Sequence, residues 1–139
     1  MFTIQQLGAA EIRANEPTLI QIAAASAYNV RFVDIPILFV AYCGREAVAF
    51  AGLAKHHDVW CLRACVVLPK YYGRGLQRTL ISRRLEYLAQ QKAPFVDVSV
   101  RLDNTTSIKN LRAFGFEFID GTKIFDGVVH HKMRKLLAS

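Results

Sequence analysis

The stretch Cys65–Arg78, CVVLPKYYGRGLQR, holds the residues with the clearest chemical use in this chain. Its first half is an apolar run of strand character that stops at Pro69, which has no N–H to give a ladder. Gly73-Arg74-Gly75 then makes a tight turn, and helical patterning begins at Leu76. A strand that passes through glycines into a helix start aims the first N–H groups of the helix at one spot. The positive end of the helix dipole falls there too, so the spot suits a phosphate or pyrophosphate. Glycine keeps the approach open because it carries no Cβ. Lys70, Arg74 and Arg78 add positive charge at the rim. Two better-known phosphate loops do not fit. A Walker loop ends in Gly-Lys-Ser/Thr, and the dinucleotide fingerprint needs a third glycine where Arg78 stands.

Two glycines around an arginine also make an ordinary surface turn. The longer order separates the two readings: Val67-x-Pro69-x-Tyr71-x-Gly73-x-Gly75-Leu76, followed downstream by Asn104-Thr-Thr-Ser107-Ile108 and then Phe114-Gly115-Phe116. At these residues the chain resembles the GNAT superfamily of acyl-CoA-dependent N-acyltransferases. That family carries Val-x-Pro, then Gln/Arg-x-x-Gly-x-Gly/Ala, then an Asn-x-x-Ala helix that ends in Gly-Phe. Tyr72–Gln77 occupies the six-residue core: Gly75 matches, Tyr72 replaces Gln/Arg, and Gln77 replaces Gly/Ala. Asn104, Gly115 and Phe116 match the second motif, with Ser107 in place of the small Ala. The similarity in spacing runs from about Phe39 to Leu136.

The resemblance implies acetyl-CoA as acyl donor, an amine as acceptor, and no metal. It places the cofactor on the backbone of Cys65, Val66 and Val67 and on the loop residues Tyr72, Gly73, Arg74, Gly75, Leu76, Gln77 and Arg78. Asn104 and Ser107 join them. The strands Val59–Leu68 and Phe95–Val100 are expected to splay, so that the pantetheine arm pairs like an added strand. One backbone N–H then polarises the thioester carbonyl, and such a donor lowers the barrier by about 3 kcal/mol. A variable helical pair with its loop implies Tyr28, Arg31, Phe32 and Asp34 as residues that choose the acceptor; loop packing is the competing explanation.

Proton handling departs from the family. Members often place a Tyr seven residues after the Asn to protonate the leaving thiolate; here that residue is Leu111. They often carry a basic Glu on a central strand, where this chain has Cys61 and Ser99. His57, Asp58, a histidine of the His130-His131 pair (His131 foremost) or a chain of water are the substitutes. A general acid or base contributes about 10²–10⁴-fold, so losing one slows an enzyme without abolishing it. The alternative is a fold that holds acyl-CoA with weak or no catalysis.

Composition bounds these readings. With 139 residues, 53% of them apolar and 21% charged, the chain reads as one globular domain spanning 1–139. The longest apolar run, Ile35–Cys43, contains Pro36 and falls far short of the roughly 20 residues of a membrane span. No signal peptide is legible, which makes the cytoplasm the expected compartment. Cys43, Cys61 and Cys65 fit no zinc spacing. Cys61 and Cys65 would stand roughly 13 Å apart along a strand, beyond disulfide reach. Neither histidine pair forms a metal template, because neighbours on a strand face opposite ways. The formal net charge is +7, and from Val59 to Leu85 six Lys or Arg residues stand with no acid among them. That one-sided charge fits an anionic ligand such as coenzyme A. Nucleic acid would fit the charge as well, but no RNA- or DNA-binding motif accompanies it.

The elements that must position these residues follow from periodicity. Phe2–Gln6 alternates as a strand; Ala9–Asn15 reads as a helix that closes before Pro17, and Thr18 caps a second helix to about Tyr28. Pro36–Tyr42, Ala47–Leu53 and Val59–Leu68 read as an antiparallel meander. A helix over Leu76–Gln90 puts Leu76, Leu80, Ile81, Leu85 and Leu88 on one face. Phe95–Val100 is a parallel strand, Thr105–Phe114 a helix, and Phe116–Ile119 with Val128–Leu136 a final antiparallel pair. The expected class is α/β (α+β): a GNAT-like mixed central sheet flanked by helices, in the order β-αα-βββ-α-β-α-ββ.

Overall fold

Alternation, turn chemistry and one proline explain most of the chain's local structure. The computed structural model describes residues 1–27 and 30–137. Strand β1 is Phe2–Leu7, and helix α1 follows over Ala9–Ala25. Glu11 reaches back to accept a hydrogen bond from the Gly8 N–H (3.1 Å), which satisfies one open donor at the helix start. The buried residues Ile12, Leu19, Ile22 and Ala23 form the inner face of α1.

The expected pair of helices is therefore one helix, with Pro17 inside it. Pro17 cannot donate to the carbonyl of Arg13, but both residues are exposed, so water can take up that carbonyl. Packing of Ile12 on one side of the proline and Leu19 and Ile22 on the other holds the two halves in line. Otherwise the expected mixed α/β order holds.

Strands β2 (Ile37–Cys43) and β3 (Glu46–His56) form a hairpin through Gly44, whose φ is 63°. A second hairpin leads to β4 (Val59–Val67) through His57 and Asp58, both left-handed with φ of 49° and 63°. After a single 3₁₀ turn at Pro69–Tyr71 come helix α2 (Leu76–Gln90) and strand β5 (Phe95–Val100). Strand β5 runs parallel to β4, through Trp60↔Val96 and Cys61↔Asp97. Helix α3 (Thr105–Ala113) then leads to the hairpin β6 (Glu117–Phe125) and β7 (Val128–Leu136). Strand β6 is longer than expected, because the ladder shifts register between Phe118 and Thr122 and so carries the chain through Asp120-Gly121. The strand order is β1-β2-β3-β4-β5-β7-β6.

The chain resolves into two compact units: Met1–Ala54 with Arg63–Arg84, and Lys55–Leu62 with Leu85–Ser139. In the first, Leu7, Ile12, Leu19, Ile22, Phe32, Leu38, Val40, Phe50 and Val66 form the core. In the second, Leu88, Val96, Phe116 and Met133 are fully buried. Strand β7 pairs with the whole length of β5, from Phe95↔Leu136 to Val100↔His131.

Pro17→Ala restores an N–H donor and removes the ring clash. It should stabilise the protein by roughly 1–3 kcal/mol. Urea unfolding measures this, and an unchanged or lower midpoint would show that α1 needs the proline.

Candidate active site

The passage from β4 into α2 is built by a set of hydrogen bonds and one ring. The Leu68 N–H donates to Val48 O (2.9 Å), and the Tyr71 and Tyr72 N–H groups donate to Leu68 O and Pro69 O. The Ser26 hydroxyl donates to Val67 O (2.9 Å) and ties the end of β4 to the end of α1. The Tyr71 ring is buried edge-on against Phe2, with centroids 5.9 Å apart. Its hydroxyl donates to Glu46 Oε1 at 2.9 Å. That bond, with burial adding to it, pushes the Tyr71 phenol up to about 12.

Tyr71 also carries the rim. Lys70 Nζ and Arg74 Cζ lie 5.2 and 5.3 Å from its ring centroid. Gly73 and Gly75 follow with φ of 77° and 76°, and nothing stands within 4 Å of where a Cβ would be. A side chain at Gly75 would cost roughly 1–2 kcal/mol in backbone strain alone. Gly75 O accepts from both the N–H and the hydroxyl of Thr79, each at 3.0 Å, so α2 starts here. Its first turn contains no acidic residue. The result is an open, cationic cradle at a helix N-terminus, the geometry a diphosphate needs.

The strand that feeds the cradle is irregular. Ala64 has φ of 38°, a left-handed residue in the middle of β4. Strand irregularities of this kind gather next to active sites. Cys65, Val66 and Val67 follow it. They lie on β4 past its ladder with β5, which pairs Trp60 with Val96 and Cys61 with Asp97. Burial pushes the Cys65 thiol up, against a smaller downward pull from Arg84. Arg84 itself is buried, at 2% exposure. It was expected to belong to a basic surface stretch, but it occupies the apolar row Leu76-Leu80-Leu88 of α2. The four-residue spacing was the signal that could have found it.

Other expected site residues fall in the second unit. Asn104 caps α3, its Oδ1 accepting from the Ser107 N–H at 3.2 Å. Leu111 is buried at 4% exposure, so its side chain packs in the interior. His57 and Asp58 form the β3–β4 turn, and the His57 ring lies 4.1 Å from that of His56. His131 sits on β7 between Val100 and Thr122 in register. A carboxylate not anticipated on a central strand is Asp97 of β5, buried and paired bidentately with Arg134 at 2.6 and 3.0 Å. Of the expected acceptor residues, Arg31 is exposed, whereas Phe32 packs against Phe50 in the core with centroids 5.5 Å apart. Tyr28 lies outside the described residues. Among the described residues no group of three or more His, Cys, Asp or Glu is placed to hold a metal ion.

This loop on this sheet has a family. Residues 10–116 match the acetyltransferase (GNAT) family, and the chain belongs to it. Among curated proteins nothing matches. The chain is similar to the solved ribosomal-protein-S18-alanine N-acetyltransferase from Escherichia coli, with a TM-score of 0.83 and 20% identity over 100% of this chain and 96% of that one. It is similar to Arabidopsis thaliana Naa50, solved with the bisubstrate analogue CoA-Ac-MVNAL (0.78; 20%; 96% and 99%). It is also similar to the PaiA N-acetyltransferase from Thermoplasma acidophilum, solved with coenzyme A (0.75; 15%; 99% and 99%).

Two outcomes follow from these contacts. The folded Tyr71 phenol titrates above its unfolded value, so its contribution is complete below about pH 10 and is lost as pH rises towards 12. Tyr71→Phe should therefore unfold with a flatter pH dependence than the wild type over that window; parallel curves would contradict the bond to Glu46. Leu111→Ala should cost about 2–5 kcal/mol of folding stability, as a buried leucine does. A thermal melt within a degree of wild type would show that Leu111 is not packed.

Proposed function

We propose that the chain is an N-acetyltransferase that moves acetyl from acetyl-CoA to a primary amine by direct attack. The observation that carries this is the cradle: two left-handed glycines, open where a Cβ would stand, at the start of a helix with no acid in its first turn. Acetyl-CoA supplies a thioester whose carbonyl carbon a neutral amine attacks. Gly73, Gly75 and the start of α2 hold its diphosphate, and Arg74 and Arg78 meet the remaining charge. The segment Cys65–Val67 offers backbone groups to the pantetheine amides and one N–H to the thioester oxygen. Family membership supports this reading, as do neighbours solved with coenzyme A or a CoA-bearing analogue. Two of those neighbours, a ribosomal-protein-S18-alanine N-acetyltransferase and Naa50 with CoA-Ac-MVNAL, make a short peptide with a free N-terminal amine the first acceptor to try.

A second reading, an acyl-CoA-binding module with little catalysis, has one specific observation behind it. Leu111 is buried, so no acid stands at the position where the family often has a Tyr. Thiol release with a panel of amines separates the two.

Acetyl-CoA at a hundred times its Kd should stabilise the fold by about 2.7 kcal/mol. Gly75→Glu, which puts a side chain and a negative charge into the cradle, should abolish that gain. A full ligand-induced melting shift in Gly75→Glu would overturn the assignment of the loop.

A further inference from the structure

Arg84 breaks a rule that the other buried charge obeys. Asp97 is buried with both carboxylate oxygens held by Arg134. Arg84 is as deeply buried, and a guanidinium keeps its proton at any working pH. Among the described residues no carboxylate forms an ion pair with it. Its Nε donates to Leu80 O at 3.1 Å and its Nη1 to Gly52 O at 3.3 Å. Two neutral carbonyls take two of its five N–H groups and leave its charge uncompensated. Replacing such a group by an apolar side chain of similar volume is commonly neutral or stabilising, so packing does not explain an arginine in this row.

Its surroundings narrow the explanation. Gly52 lies on β3 beside β4: a Cβ on Gly52 would stand 3.5 Å from Arg63 O. The next residue on β4 is the left-handed Ala64. Cys65, one step further, interacts electrostatically with Arg84, and burial pushes its thiol up. The fixed positive charge thus lies against the irregular stretch of β4 at Ala64 that leads to Cys65–Val67.

The geometry points to Arg84 as a positioning residue for acyl transfer: held at Gly52, it supplies a standing positive field to the sulfur of coenzyme A as that sulfur becomes a thiolate. This rests on the acetyl-transfer reading above. The amine's lone pair forms the C–N bond, the C–S bond breaks, and its electron pair stays on sulfur. The proton shed by the new ammonium reaches the thiolate through water. Arg84 gives and takes no proton.

The test compares wild type, Arg84→Lys, which keeps the charge, and Arg84→Met, which keeps the bulk, all in a Cys65→Ala background so that only the ligand's thiol titrates nearby. Calorimetry gives the affinity for coenzyme A relative to desulfo-coenzyme A at about pH 7 and about pH 10, because a free alkyl thiol is less acidic than a cysteine side chain at about 8.5. The preference for coenzyme A should rise roughly tenfold with pH when Arg84 is present, persist in Arg84→Lys, and vanish in Arg84→Met. Arg84→Met should melt no lower than its parent, and its kcat for an N-terminal peptide amine should fall roughly tenfold with little change in KM. The same pH-dependent preference in Arg84→Met overturns this inference alone. Failure of the parent to bind coenzyme A overturns the acetyl-transfer reading and this inference with it.

Discussion

A strand must end and a helix must begin within nine residues, aimed at one point in space, and the rest of the first unit serves that constraint. Between Val67 and Leu76 the backbone makes a 3₁₀ turn and takes two left-handed residues. Such a passage has little regular hydrogen bonding of its own, so neighbouring elements must hold it. Ser26 of α1 holds the end of β4, Val48 of β3 holds Leu68, and Phe2 and Glu46 hold Tyr71. Tyr71 in turn keeps Lys70 and Arg74 at the rim. A preorganised anion site needs this, because a loop that had to be ordered on binding would give up affinity to conformational entropy.

The distribution of charge shows a second division of labour. Exposed pairs such as Arg101–Asp103 and Lys70–Glu46 are screened by solvent and decide little about stability. The buried Asp97–Arg134 pair is bidentate, and the Arg134 guanidinium also stacks 4.0 Å from the Phe95 ring centroid. It fixes β5 to β7 in register. Among the described residues Arg84 alone combines burial with an unneutralised charge, and it lies against the irregular part of β4. Basic residues that look like one stretch in the sequence therefore have different surroundings: Arg74 is exposed and lies over the Tyr71 ring, and Arg84 is buried. A nucleic-acid surface would need them on one exposed face, which they do not share.

Most elements were legible because their cause is local. The strands Phe95–Val100 and Val128–Leu136 and the helix Leu76–Gln90 match the periodic pattern residue for residue. Their apolar spacing admits one period only. Two departures have clear physical reasons. Pro17 was expected to end a helix, but solvent can take up the carbonyl it leaves open, and packing on both sides keeps the helix straight enough to continue. Asp120-Gly121 was expected to be loop, but a slip in register lets an edge strand carry them.

The phosphate-suited turn was present in the sequence itself, because left-handed glycine is a backbone property written into residue identity. So were the absence of a tyrosine at Leu111 and the excess of positive charge from Val59 to Leu85. What a side chain touches is another matter, since partners distant in the chain decide it. Only the folded chain made Asn104 a helix cap, sent Phe32 into the core against Phe50, buried Leu111 and paired Asp97 with Arg134. Only the folded chain turned Arg84 from one more surface cation into a buried charge beside Cys65, because burial depends on which helix face meets the sheet, and α2 turned the row that contains Arg84 inward.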